Sequence, residues 1–256
     1  MDYTIEKDIS YLEGSSNPRH TLDVYRPEVM NEEKLPTVVY FHGGGWDHGN
    51  KESAERRFKH FYDTGYLFIS VGYRLSDEEA WPAQIDDAVA ALKFVQTQMP
   101  EVDVERIALW GSSAGGHIAG LLAGGCRNDS LQTFPEIKCL VNYCGPITID
   151  QFVATLTGEE RVSSPVMKLL GGDHEKTQAY AKEAAVTSWV KPGYPPTLNV
   201  HGDQDEVVPM LQSEVFTQTI LQVGSEARLL VAENSPHRVD CDMVRSEVKA
   251  FFQQKL

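Results

Sequence analysis

The segment Gly111-Ser112-Ser113-Ala114-Gly115 fits the pattern G-x-S-x-G, with Ser113 at its centre. A serine becomes a useful nucleophile when its hydroxyl stands clear on a tight turn and a base takes its proton. Glycines two residues to either side leave room where a Cβ would strike neighbouring backbone. A helix starting just after Ser113 offers free N–H groups and a positive dipole end to a developing oxyanion. The same five residues also fit a plain glycine/serine turn, with Ser112 or Ser113 capping the helix. A second segment favours the chemical reading. In His42-Gly43-Gly44-Gly45-Trp46 three consecutive glycines follow an apolar run. Such a loop costs chain entropy and suits a place where backbone approaches a ligand and presents N–H donors. The expected oxyanion donors are Gly44, Gly45 and Ala114, with Gly43 able to replace one of them.

Where such a serine stands on an elbow between a parallel strand and a helix, its partners follow later in the chain, in the order serine, acid, histidine. The segment from His201 to Pro209 supplies three candidate acids, Asp203, Asp205 and Glu206. Beyond it His237 is the sole histidine, so it is the expected base. His20, His48, His60 and His174 lie in polar, surface-like stretches. His201 precedes the acid, which is the wrong order for a base. His117 falls in the helix after the serine, where packing or a hydrogen bond is the ordinary expectation.

These residues need a frame. Short apolar runs alternate with longer stretches of helical period, which predicts an α/β fold with a mostly parallel sheet and helices on both faces. Strands are expected at Thr4–Tyr11, Thr21–Tyr25, Pro36–Phe41, Leu67–Val71, Ile107–Trp110, Cys139–Tyr143, Thr197–Val200 and Arg228–Ala232. Helices are expected at Ser53–Thr64, Pro82–Met99, Ile118–Gly124, Met210–Val223 and Cys241–Gln253. In the second of these, Ile85, Ala88, Val89, Leu92 and Val95 repeat at helical spacing. The stretch over about 147–188 is the least sheet-like and is read as a small cap or lid insertion. No repeat, low-complexity tract or linker interrupts the chain, so residues 1–256 read as one domain.

The 256 residues are long enough to bury a core without staples. Apolar content of 41% and charged content of 23% exclude a disordered or fibrous chain. No apolar run approaches the ~20 residues of a membrane helix, so no membrane insertion is expected. A net charge of −14 repels nucleic acid and anionic lipid, leaving a small molecule as the expected partner and keeping the surface soluble. The four cysteines, Cys126, Cys139, Cys144 and Cys241, form no C-x-x-C and have no zinc-ligand spacing. Neither a metal nor an organic cofactor is expected. The N-terminus lacks the basic start and apolar stretch of a signal peptide, which gives a cytoplasmic setting as the expectation. A homodimer is left open.

Together the motifs resemble the α/β-hydrolase superfamily, and within it the hormone-sensitive-lipase-like esterases and the bacterial feruloyl and acetyl-xylan esterases. The resemblance runs along nearly the whole chain. It rests on His42–Trp46, Gly72-Tyr73-Arg74-Leu75, the run Trp81–Ala88, Gly111–His117 and the run Pro195–Pro209, in that order. It implies Asp205 as the acid, since the family's acid stands before two residues and Val-Pro, here Glu206-Val207 and Val208-Pro209. Asp203 then has a structural part, as do Arg74 and Asp87. Trp46 and Tyr73 are candidate walls of the substrate pocket, or else core aromatics. The implied activity is hydrolysis of short-chain or aryl carboxylic esters, acetyl or feruloyl esters of carbohydrates among them. An arylformamidase acting on an amide fits the same loop and residue order. A catalytically silent binding protein on this fold would lack the acid or the base, and this chain has both. Little more than twenty residues precede the Leu22–Tyr25 strand where relatives carry a longer cap. That predicts an open pocket for short or bulky soluble esters.

Overall fold

The computed structural model describes residues 2–29, 33–127 and 136–256. Its strands are β1 (Tyr3–Ser10), β2 (Thr21–Pro27), β3 (Leu35–Phe41), β4 (Leu67–Val71), β5 (Val102–Ser112), β6 (Ile137–Tyr143), β7 (Thr197–Gly202) and β8 (Ala227–Ala232). They form one sheet in the order β1-β2-β4-β3-β5-β6-β7-β8. β2 pairs antiparallel with β1 and β4, and the remaining neighbours run parallel. The expected α/β class with a mostly parallel sheet is what the chain adopts. Every residue of β3, β4 and β7 is buried. A strand covered on both faces reads as a continuous apolar run, which is why Thr37–Phe41 and Leu67–Val71 stand out in the sequence. β1 is mostly exposed and carries Glu6, Lys7 and Asp8, charges that blunt a free sheet edge.

The helices are α1 (Glu55–Phe58), α2 (Ala83–Gln98), α3 (Ala114–Ala123), α4 (Ile149–Thr155), α5 (Gly158–Ser163), α6 (Pro165–Leu169), α7 (Thr177–Ala184), α8 (Leu211–Gln222) and α9 (Asp242–Lys255). One face of the sheet packs Val39, Ile69, Leu109 and Leu140 against Ile85, Leu92, Ile118 and Leu122 of α2 and α3. The other packs Val38, Phe68, Trp110 and Val141 against Phe58, Phe61, Val248 and Phe252 around α1 and α9. The single helix expected over Ser53–Thr64 is corrected to α1 flanked by 3₁₀ turns at Lys51–Ala54 and Lys59–Phe61. Phe58 and Phe61 are both buried, and a three-residue turn brings positions three apart onto one side.

α3 starts four residues before the apolar period that announces it. Its first turn contains Gly115 and Gly116, which carry no periodic signal but are dictated by packing. A Cβ on Gly115 would stand 2.0 Å from the Phe41 carbonyl oxygen, and one on Gly116 would stand 2.2 Å from Asn142 Oδ1. Helices α4 to α7 fill the connection between β6 and β7. Among the described residues, no helix is long and apolar enough to cross a membrane, and the four cysteines are free thiols.

Candidate active site

The carboxyl ends of β3, β5, β6, β7 and β8 lie side by side, and the loops after β3, β5, β7 and β8 carry the residues singled out by the sequence. In parallel α/β sheets this edge is where ligands bind. Ser113 sits between β5 and α3 at φ 53 and ψ −121, a backbone state that a non-glycine residue holds only under strain. Its N–H donates to the Tyr143 carbonyl at 2.7 Å, which fastens the turn to β6. A Cβ on Gly111 would come within 2.1 Å of the Gly115 carbonyl oxygen. Both glycines of the motif are therefore required by the tightness of this turn. The Ser113 hydroxyl makes no capping bond to α3. It lies instead 3.0 Å from His237 Nε2.

His237 Nδ1 lies 2.7 Å from Asp205 Oδ2. A carboxylate only accepts, so Nδ1 carries the imidazole proton and Nε2 is left as an acceptor facing Ser113. The Asp205 side chain is fully buried, and His237 retains 19% exposure. Burial alone would raise the Asp205 pKa. The N–H groups of Val208 and Val207, each 2.8 Å from Oδ1, together with His237, outweigh it and hold the carboxyl below its ordinary value. Of the competing acids, Asp203 is exposed and accepts from the Ser235 N–H at 3.1 Å, bracing the loop that carries His237. Glu206 is exposed.

The glycine loop lies against this turn: a Cβ on Gly43 would be 2.9 Å from Ser112 O and 3.3 Å from Ser113 Cβ. Gly44 has φ 128, and its missing Cβ would overlap the His48 carbonyl oxygen at 2.1 Å. Its own carbonyl accepts from Asp47 and His48. His42 Nδ1 donates to the Gly43 carbonyl at 2.8 Å. The peptide is planar and trans, so holding that C=O turns the Gly44 N–H the opposite way. Among the described residues, the N–H groups of Gly44, Gly45 and Ala114 donate to no other protein group. They remain available for an incoming oxygen.

Two aromatics expected as pocket walls have another place. Tyr73 is completely buried, stacks on the His42 ring at 4.2 Å, and donates its hydroxyl to the His42 carbonyl at 2.7 Å. Trp46 is 3% exposed, and its indole N–H donates to His117 Nδ1 at 3.2 Å. The pocket-wall expectation is corrected for both: they brace the glycine loop from beneath. His42 and His201 carry parts that the sequence did not reveal, and His117 makes the kind of hydrogen bond expected of it. His42 orients the Gly43–Gly44 peptide. His117 passes its Nε2 proton to the Ala184 carbonyl at 2.7 Å, leaving Nδ1 bare for Trp46. Burial pushes both imidazoles down to about 4, so both are neutral. His201 lies behind Asp205, with Nε2 3.1 Å from Oδ2. Adjacency to the glycines, to the serine helix and to the acid loop was the available signal.

Cys144, His201 and Asp205 bring one sulfur, one nitrogen and one oxygen within 4.8 Å of each other. A metal would need these donors deprotonated. Burial raises the Cys144 thiol to about 12, and the His201 Nε2 proton is given to the Val208 carbonyl at 2.9 Å. The cluster is organised around protons and not as a metal cage.

The sheet order, the strained serine between β5 and α3, and the helical connection between β6 and β7 define an α/β-hydrolase fold. The chain belongs to the BD-FAE family, whose model matches residues 22–220. It is 28% identical over 256 residues to the esterase LipQ of Mycobacterium tuberculosis, covering 95% of this chain and 59% of that one. It is 42% identical over 103 residues to the carboxylesterase NlhH of the same organism, covering 39% of this chain and 32% of that one. The chain thus spans only about half the length of the curated relatives it matches along most of its own. Among solved structures, a truncated carbohydrate esterase from gut microbiota superposes with a TM-score of 0.85 at 23% identity, over 98% of this chain and 96% of that one. Esterase B from Lactobacillus rhamnosis superposes with a TM-score of 0.84 at 23% identity, over 99% and 87%.

Proposed function

We propose that this chain is a serine carboxylesterase hydrolysing short-chain or aryl carboxylic esters, including acetyl or feruloyl esters of carbohydrates. The observation that carries the reading is the unbroken line from Ser113 Oγ through His237 to the buried Asp205, at 3.0 and 2.7 Å. His237 takes the hydroxyl proton as Ser113 attacks the ester carbonyl, while Asp205 fixes the tautomer and stabilises the imidazolium. The oxyanion is received by the Ala114 N–H and by Gly44 and Gly45. Collapse expels the alcohol, which leaves with the proton from His237. Water, deprotonated by the same nitrogen, then releases the acid from the acyl-enzyme. Helices α4 to α7 act as a small cap: a Cβ on Gly45 would meet Pro165 of α6 at 3.4 Å, and Lys168 pairs with Asp47. The relatives are an esterase and a carboxylesterase, which favours the ester over the formamide reading. The gut-microbiota neighbour is a carbohydrate esterase, which favours a sugar ester.

The test is initial rates on p-nitrophenyl acetate, butyrate and octanoate for wild type and Ser113→Ala. The expected result is turnover of the short esters and a loss of at least ~10³-fold in the variant. Methyl ferulate, acetylated xylan and N-formylkynurenine then rank ester against amide. Equal activity of both proteins would reject Ser113 as nucleophile, and two inactive proteins with N-formylkynurenine turned over would replace ester by amide.

A further inference from the structure

The catalytic steps proposed above do not use His201, which is fully buried against Asp205. His201, the next-to-last residue of β7, has no exposed surface and shares Asp205 Oδ2 with His237. Its Nε2 donates to the Val208 carbonyl at 2.9 Å, and its Nδ1 lies 2.7 Å from Ser213 Oγ in α8. A carbonyl cannot donate, so the proton is on Nε2 and the Ser213 hydroxyl donates to Nδ1. This fixes the tautomer from both ends. The same Nε2 stands 3.1 Å from Asp205 Oδ2, the oxygen that receives His237. The Val208 carbonyl held by His201 belongs to the loop whose Val207 and Val208 N–H groups hold Asp205 Oδ1. Asp205 is thereby gripped at both oxygens, and one ring touches both grips.

We propose that His201 is a positioning residue for Asp205, holding the 205–208 loop and presenting its Nε2–H edge to Oδ2, so that it sets both the direction and the basicity of the carboxylate facing His237. This rests on the assignment of Asp205, His237 and Ser113 made above. Burial holds the His201 pKa below its ordinary value, so the ring stays neutral and its polar edge does not become a second positive charge beside His237. The other ionisable groups that face this cluster are Cys144, just after β6, whose thiol is protonated, and more distantly Arg57 of α1. Neither changes charge over the acid limb of the profile. Removing the N–H edge leaves Asp205 less stabilised as an anion. The carboxylate then pulls harder on the imidazolium, which moves the acid limb of the kcat/KM profile to higher pH.

The experiment compares His201→Phe, His201→Gln and Ser213→Ala with wild type, reading kcat, KM and the acid limb of the kcat/KM pH profile on p-nitrophenyl acetate. His201→Phe keeps a flat ring without the N–H, Gln restores a side-chain N–H, and Ala at 213 frees the tautomer while suiting a helix. The expected result for Phe is a kcat loss of about 10- to 100-fold at near-constant KM. Its acid limb should move upward by about half a unit or more. Gln should recover part of both, and Ser213→Ala should move the limb in the same direction by less. An unmoved limb in folded Phe and Ser213→Ala variants overturns the proposal, as does a Gln variant no better than Phe. Should Phe fail to fold, the Gln and Ser213→Ala limbs decide. Inactive wild type would instead overturn the esterase reading on which the role depends.

Discussion

The indole N–H of Trp46 donates to Nδ1 of His117 at 3.2 Å, tying the glycine loop after β3 to the helix that begins just after Ser113. The two halves of the proposed oxyanion site, Gly44–Gly45 and Ala114, sit on separate segments of chain. Their spacing depends on cross-links of this kind. Trp46→Phe keeps an aromatic body but strips the donor, leaving a buried imidazole nitrogen unpaired. A cost of about 1–3 kcal/mol follows. Because the lost bond positions donors used in the transition state, kcat should fall roughly 10-fold with little change in KM. A Trp46→Phe variant whose defect lay mainly in KM would return Trp46 to the pocket wall.

His42 and His117 make the fold sensitive to acid. Both have folded-state values of about 4 against an ordinary value near 6.5. The unfolded chain binds these protons first as pH falls. Their stabilising contribution is therefore complete above pH ~6.5 and is lost progressively down to pH ~4. A shift of this size corresponds to roughly 3 kcal/mol per residue at most. Melting temperatures between pH 7 and 4.5 should drop by about 10 °C or more. His117→Gln, which does not titrate, should have a lower midpoint at pH 7 and a visibly shallower slope. An unchanged slope would mean that His117 already takes up its proton without unfolding.

The elements and the contact chain Ser113–His237–Asp205 could be found in the sequence because their physical causes leave marks in it. Thr37–Phe41 and Leu67–Val71 are continuous apolar runs since they are covered on both faces. His237 could be picked as the last histidine after the acid loop. Choosing Asp205 over Asp203 and Glu206 took the family's Val-Pro spacing. The structure gives the physical reason, since the backbone N–H groups of Val207 and Val208 reach Asp205 Oδ1. What stayed hidden was burial of polar atoms. Nothing in the order of residues says that His201 faces backwards into Asp205, or that Trp46 turns inward to His117. The start of α3 was hidden for a related reason, because Gly115 and Gly116 answer to distant backbone and not to a helical period.

Arg74 and Asp87 give a test of a purely structural site. Asp87 accepts from the Arg74 backbone N–H at 2.8 Å and from its guanidinium at 2.7 and 3.0 Å, with His20 Nε2 3.3 Å away. Asp87 is buried, and Arg74 is partly so. Breaking a buried pair by removing one charge leaves the other without its partner, at a cost of about 3–5 kcal/mol. Asp87→Asn keeps the shape and some of the bonds, so a loss near the lower end is expected. Denaturant titration should register it, while kcat of the folded fraction stays within about threefold of wild type. A fall in kcat with unchanged stability would contradict the structural assignment.

Gly115→Ala tests how closely β3 and α3 must approach. The added Cβ would lie 2.0 Å from the Phe41 carbonyl oxygen and 2.4 Å from that of His42. Both obstacles are backbone, so no side chain can swing aside to relieve them. Either α3 moves outward, carrying the Ala114 N–H away from the glycine loop, or the end of β3 moves, carrying Gly43 and Gly44. Each route separates the N–H groups proposed to converge on one oxygen. A displacement of about 1 Å in such a site is worth roughly 100-fold in rate, and overpacking adds about 1–3 kcal/mol of destabilisation. The variant should lose at least ~100-fold in kcat on p-nitrophenyl acetate and melt several degrees lower. Ala at Gly14 or Gly224, where no atom lies within 4 Å but φ is positive, should cost stability alone. Wild-type kcat in folded Gly115→Ala would mean that the oxyanion donors do not depend on this contact.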